Sequence, residues 1–255
     1  MAMERRGYMR CMRSPIEIAR SILVAIVCGL GMALAQPADS AALQSWRVVL
    51  VAGDSSAPVF DNAVDALNTL MRERPGVDVR RLTSDPNLES SSRPVATARS
   101  IDGALAGTQA QGCLVFMTSH GSTDGLLLRE DFDNDTTLSP SKLDRILDKQ
   151  CGERPTVVVV SACHSGVFIG KASKGDNRIW LTAARDDRVS FGCGAEFEFT
   201  YFDECLLSAW PKSKTWKQLF DRTSTCVRLK ESELSEGSSL PQAYFGTKVK
   251  DLELP

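Results

Sequence analysis

Four consecutive valines, Val157 to Val160, run straight into Ser161-Ala162-Cys163-His164-Ser165-Gly166. A β-branched run of this length is too short for a helix and reads as a strand buried on both faces. Upstream, Cys113-Leu114-Val115-Phe116-Met117 has the same character and runs into Thr118-Ser119-His120-Gly121. Each run stops abruptly in small residues beside one reactive side chain. If the two strands lie side by side and parallel, His120 and Cys163 meet at their carboxyl ends, where open α/β sheets place their active sites. A thiol and an imidazole brought together there point to a cysteine nucleophile with its base.

The rest of the chain alternates strand and helix patterns. Arg47 to Gly53 reads as a first strand. Asp61 is expected to cap a helix with Ala63, Val64, Leu67, Leu70 and Met71 on its apolar face, and Val77 to Leu82 reads as a more exposed strand. A helix is expected over Pro94 to Ala106, and a small strand or hairpin at Leu126 to Leu128. A further helix should run from Ser139-Pro140 to Lys149, proline suiting the first helical position. Trp180 to Ala184 and Ala243 to Gly246 read as later strands, and Tyr201 to Trp210 and Trp216 to Leu229 as helices. Asp131 to Asp135 starts like a calcium loop, but Thr136 and Lys142 stand where that loop needs glycine and glutamate, so a solvated acidic loop is expected. There is no internal repeat. The pattern predicts an α/β fold with a mainly parallel central sheet flanked by helices.

The N-terminus reads separately. Arg5, Arg6, Arg10, Arg13 and Arg20 form a basic region, Ser21 to Ala35 carry no charge, and Ala33-Leu34-Ala35 gives a small-residue cleavage site. This predicts a secretory signal peptide over residues 1–35, a linker over 36–45 and one domain over 46–255. The expected destination is the periplasm or the exterior. The alternative is an uncleaved membrane anchor; if the signal is cleaved, no stable membrane association is expected. Removing 1–35 takes away five arginines and two glutamates and leaves 25 basic and 30 acidic residues, a formal net of −5. That balance excludes a typical nucleic-acid binder and favours a neutral or basic partner. Six cysteines remain, and export allows disulfides. Cys113 reads as a small core residue, Cys205–Cys226 as a bridge between neighbouring helices, and a free Cys163 leaves at least one other cysteine unpaired. With two histidines in the chain and no C-x-x-C, no metal site is expected. Oligomeric state is not readable.

In the chemistry expected at the strand ends, Cys163 is the nucleophile, and His120 activates it or protonates the leaving amine. The N–H groups of Gly121 and Cys163 are natural oxyanion donors. Ser165 and Gly166 should let the chain turn and start a helix whose positive end favours the thiolate. His164 is the competing imidazole, but strand-end neighbours tend to point oppositely.

Thr118-Ser-His-Gly121 together with Ser161-Ala-Cys-His-Ser-Gly166 resembles the legumain-like cysteine peptidases, the C13 family, which have the caspase–hemoglobinase fold, a three-layer sandwich. The resemblance extends to Val51-Ala-Gly53 and the helix carrying Asp65, and to Thr182-Ala-Ala, Ser190-Phe-Gly-Cys193 and Thr200-Tyr-Phe202. It covers roughly residues 47–210, with a weaker echo at Pro241-Gln-Ala-Tyr-Phe-Gly246. It implies His120 and Cys163 as a catalytic dyad, Gly121 and Cys163 as the oxyanion hole, polypeptide substrates and no cofactor. The family's asparagine-selecting pocket does not transfer: its positions fall on Asp61, His164, Val189 and Glu204. Asp61 and Glu204 suggest a more acidic pocket and a preference for a basic residue; the other reading of Asp61 is that it caps its helix. The position of the family's supporting asparagine falls on Val59, so a third member behind His120 is not evident, and Asp54 is no more than a guess at a group that approaches it. The activity implied is endopeptidase, through a thioester acyl-enzyme. Transpeptidation by the same dyad stays open, as does a non-catalytic binding domain on this fold, although an intact His-Gly and Cys pair argues against the latter.

Overall fold

The computed structural model describes residues 43–129, 134–171, 174–232, 234–235 and 237–255. The chain from Ser40 to Pro255 forms one compact unit. The leader and most of the linker lie outside the described residues, as do residues 131–133 of the acidic loop. No helix among the described residues is long and apolar enough to cross a membrane.

The main sheet contains β1 (Trp46–Ala52), β2 (Val77–Leu82), β3 (Gly112–Thr118), β7 (Thr156–Ser161), β8 (Arg178–Thr182) and β9 (Gln242–Phe245), in the order β2-β1-β3-β7-β8-β9. All neighbours are parallel except β8 and β9. Every residue of β1, β3, β7 and β8 is buried, as near-continuous apolar runs require of a sheet covered on both sides. The valine run divides between two cores. Val157 and Val159 join the one formed with α1 (Val59–Met71), α5 (Tyr201–Ala209) and α6 (Trp216–Glu231). Val158 and Val160 join the one under α2 (Ala98–Leu105) and α3 (Pro140–Gln150). The strand period of two thus feeds alternate side chains to opposite layers.

A second sheet is small and antiparallel: β4 (Gly121–Ser122), β5 (Gly125–Arg129) and β6 (Asp135–Leu138). It springs directly from the end of β3 and contains the strand expected at Leu126.

Several expectations are corrected. The helix expected from Pro94 begins at Ala98, because Thr97 caps it by accepting from the Ser100 N–H at 2.9 Å. Before it, the chain is extended, with Ala96 N donating to Thr83 O. Asp61 is not a cap; it lies in the first turn of α1, which starts after Pro58. β8 begins at Arg178, earlier than the apolar run suggests, because this arginine is buried against Asp144 and Asp148 of α3. Cys113 is not a lone core thiol: it is bonded to Cys151, just past α3. The Cys205–Cys226 bridge joins α5 to α6. Among the described residues Cys163 and Cys193 are free.

Candidate active site

β3 and β7 are adjacent, parallel and in register, Thr118 opposite Ser161. The ladder continues one step further, Ser119 N donating to Ser161 O at 3.1 Å. His120 and Cys163 therefore stand at equivalent positions just past the sheet. The turn after His120 is pressed onto the other strand: a Cβ on Gly121 would lie 2.3 Å from the Cys163 carbonyl oxygen and 2.9 Å from the Ala162 methyl. Only glycine allows that approach.

Both side chains are partly exposed, and each is held by a neighbour. His120 Nε2 lies 3.3 Å from Ser56 Oγ, and its ring meets Phe60 edge-on at 5.3 Å. Asp54 accepts from the Ser56 N–H at 2.7 Å. Asp54 makes no hydrogen bond to the histidine itself and is linked to it only through Ser56. The Cys163 sulfur accepts from the Ser190 N–H at 3.3 Å and lies 3.8 Å from Ser190 Oγ. No hydrogen bond joins imidazole and thiol; such contacts often tighten only with substrate bound. Cys193, three residues past Ser190, has its thiol pushed up by burial and by the nearby Cys163.

The turn after the thiol is built on the loop after β8. Ser165 Oγ accepts from the Ala184 N–H at 3.0 Å, and a Cβ on Gly166 would lie 2.5 Å from the Asp186 nitrogen. His164 takes a positive φ of 56°, donates its N–H to Arg188 O and sets Nδ1 2.9 Å from Asp186 O. Its imidazole is thereby tied to that loop. The helix expected behind the thiol is α4 (Val167–Lys171), only five residues long and starting beyond Gly166. Its dipole is correspondingly small.

The remaining pocket positions are Val189, Asp61 and Glu204. Val189 is 44% exposed and adjoins Ser190 beside the thiol. Asp61 is buried, accepts from Thr83 Oγ1 at 2.8 Å and pairs with Arg93, which also holds Asp65. Burial raises its pKa, against the pull of Thr83 and Arg93. Glu204 pairs with Lys230 at 2.7 Å. The two carboxylates expected to acidify a pocket are each matched by a cation of the same chain.

Ser56 and Asp203 were not singled out in the sequence. Asp203 is buried beneath the ends of β3 and β7. Its Oδ2 accepts from Thr118 Oγ1 at 2.8 Å, and Oδ1 has no partner among the described residues. Burial pushes its pKa to about 6, against the hydroxyls of Thr118, Ser161 and Thr200. Its sequence signal is the capping pattern Thr200-x-x-Asp203: Thr200 accepts from the Asp203 N–H, but the carboxylate turns to the sheet instead of back to the cap.

Among the described residues no group of three or more metal-ligating side chains is assembled. A covered, mostly parallel sheet with a thiol and an imidazole at neighbouring strand ends is the architecture of the caspase-like cysteine peptidases. The structure is similar to the crystal structure of caspase-1 from Spodoptera frugiperda, with a TM-score of 0.57 and 11% identity over 80% of this chain and 88% of that one. At that identity the likeness speaks for the fold. No curated protein matches the sequence. The peptidase C13 family model matches residues 96–243, and the chain belongs to that legumain-like family.

Proposed function

We propose that the protein is an exported cysteine endopeptidase that cleaves peptide bonds with Cys163 as nucleophile and His120 as its proton carrier. The observation that supports this most directly is the register of β3 and β7, with Gly121 closed onto the Cys163 carbonyl. The Cys163 thiol gives its proton to His120 as its sulfur attacks the scissile carbonyl, and the C–N bond breaks as His120 passes that proton to the leaving amine. The Gly121 and Cys163 N–H groups donate to the tetrahedral oxyanion; no hydrogen bond among the described residues engages the Cys163 N–H. The resulting thioester is hydrolysed by a water whose proton passes to His120, and the thiol is restored. Export is supported by the basic leader with its Ala-x-Ala site and by two disulfides, which belong to an oxidising compartment.

The test is labelling by a thiol-directed, peptide-like probe, alongside turnover of a peptide library read by mass spectrometry. Cys163→Ala should abolish labelling and cleavage. His120→Ala should cut turnover by about 100-fold or more, the usual worth of a positioned acid–base group. Labelling that persists in Cys163→Ala, or turnover that both substitutions leave intact, rejects the reading. Products joined to an added amine instead of hydrolysed would make the enzyme a transpeptidase.

A further inference from the structure

A cavity lies between α2, α3 and the β5–β6 hairpin, and neither Cys163 nor His120 lines it. It is a groove of about 730 Å³ whose lining, among the described residues, includes Arg99, Arg129, Lys142, Arg145 and Lys149 against one carboxylate, Asp102. Asp102 is already engaged by Lys149 and Gln150, whose hydrogen bonds hold its carboxyl below the usual range. Arg129 pairs with Asp135 at 2.7 Å, but its buried Nε has no partner among the described residues. The side chains of Arg99, Lys142 and Arg145 make no ion pair with any described residue. This cationic strip belongs to a chain whose formal charge past the leader is −5.

The groove and the candidate active site are linked through β5. β5 runs from one to the other: Leu127 N donates to His120 O at 2.9 Å, and Arg129 follows two residues later, about 7 Å along the strand. Arg129 Nη2 also reaches Ser55 Oγ at 3.4 Å, and the neighbouring Ser56 is the residue on His120 Nε2. The N-terminal turns of α2 and α3 lie beside the groove, yet Thr97 and Ser139 already cap them. It therefore offers separated side-chain cations on three elements, not a nest of free amides fitted to one phosphate. Spaced cations suit spaced carboxylates.

We propose that this groove is a substrate exosite that holds an acidic segment of the polypeptide a few residues from the bond to be cleaved. The proposal rests on the reading of His120 and Cys163 as the catalytic pair, and it names the substrate class: chains with Asp or Glu clusters flanking the cleaved bond. The acidic balance of the whole molecule gives no hint of it, and long-range repulsion would be overcome only at this strip.

The test uses the full chain with Cys163→Ala, so that binding is read without turnover. Two fluorescent peptides of equal length are compared by anisotropy, one with a glutamate-rich flank and one with glutamine at those positions. The glutamate peptide should bind on the order of tenfold tighter at low ionic strength, an advantage that shrinks with added salt. Combined Arg99→Glu, Lys142→Glu and Arg145→Glu substitutions should erase it, and the milder glutamine versions should halve it or better. In the active enzyme the same flank should lower KM, while a short peptide without the flank is cleaved equally by the wild type and the groove variants. Equal binding of the two peptides, or an advantage that survives the charge reversals, overturns the proposal. So does a sulfated polysaccharide that binds the groove when the glutamate peptide does not. Tight, groove-dependent binding without cleavage of either peptide would reject the catalytic reading and leave the exosite standing.

Discussion

Gly121 and Cys163 meet backbone to backbone, with room at Gly121 for hydrogen and nothing larger: a methyl group there would sit 2.3 Å from the Cys163 carbonyl oxygen. Gly121→Ala must push the strand ends apart by about 1 Å, and displacements of that size cost on the order of 100-fold in rate. The expected result is a folded protein whose kcat falls by about that factor while KM changes little. Circular dichroism and steady-state kinetics on the purified variant check it. A kcat near that of wild type would mean that the Gly121 N–H is not an oxyanion donor.

Asp203 carries a pH dependence whose sign follows from its burial. Its folded pKa is raised by burial to about 6 from the ordinary carboxylate value of 3.8. The folded state thus favours the protonated form, and the stability this contributes is complete below pH 3.8 and is lost as the pH rises through 6. A shift of this size corresponds to about 3 kcal/mol. Asp203→Asn mimics the neutral carboxyl. Relative to wild type, it should melt higher at pH 8 than at pH 5, and thermal melts at the two pH values measure the difference.

Arg93 and Asp61 form a buried pair whose side chains are 6% and 9% exposed. Removing the cation strands a buried carboxylate, a change worth about 3–5 kcal/mol. Arg93→Leu should therefore be strongly destabilising at pH 8. The deficit should narrow towards pH 4, since Asp61, already raised by burial, can then take up a proton. Urea unfolding at both pH values reads this, and an equal deficit at both would count against it.

The two disulfides close loops with sequence separations of 38 and 21 residues. Chain entropy gives each about 3–4 kcal/mol. Cys113→Ala/Cys151→Ala and Cys205→Ala/Cys226→Ala should each lower the melting temperature measurably, and adding reductant should leave the quadruple variant unchanged while lowering the wild type.

What the sequence revealed and what it hid follow one physical division. The valine run and Cys113 to Met117 were legible as strands because full burial makes every position apolar, and their endings exposed His120 and Cys163. Arg178 hid the start of β8, because a charged residue breaks an apolar pattern unless its partners, Asp144 and Asp148, are known. Those partners lie on another element, out of reach of any local pattern. Cys113 was read as a core thiol for the same reason: its partner Cys151 stands beyond the helix that separates the strands. Asp203 was hidden by its own helix, where an acidic residue in the first turn looks like ordinary capping. The charge of the groove proposed as an exosite is the least legible feature. Arg99, Arg129, Lys142, Arg145 and Lys149 are scattered along 51 positions of sequence, and only the packing of α2, α3 and β5 collects them into one groove.

The strand order has a consequence for the growing chain. β3 lies between β1, which precedes it in the chain, and β7, which follows only after a crossover helix. A chain made only as far as His120 holds an imidazole and no thiol opposite it. If the proposed dyad carries the activity, it needs the centre of the sheet to be filled, and the lag before activity appears during refolding should match the docking of β7 onto β3.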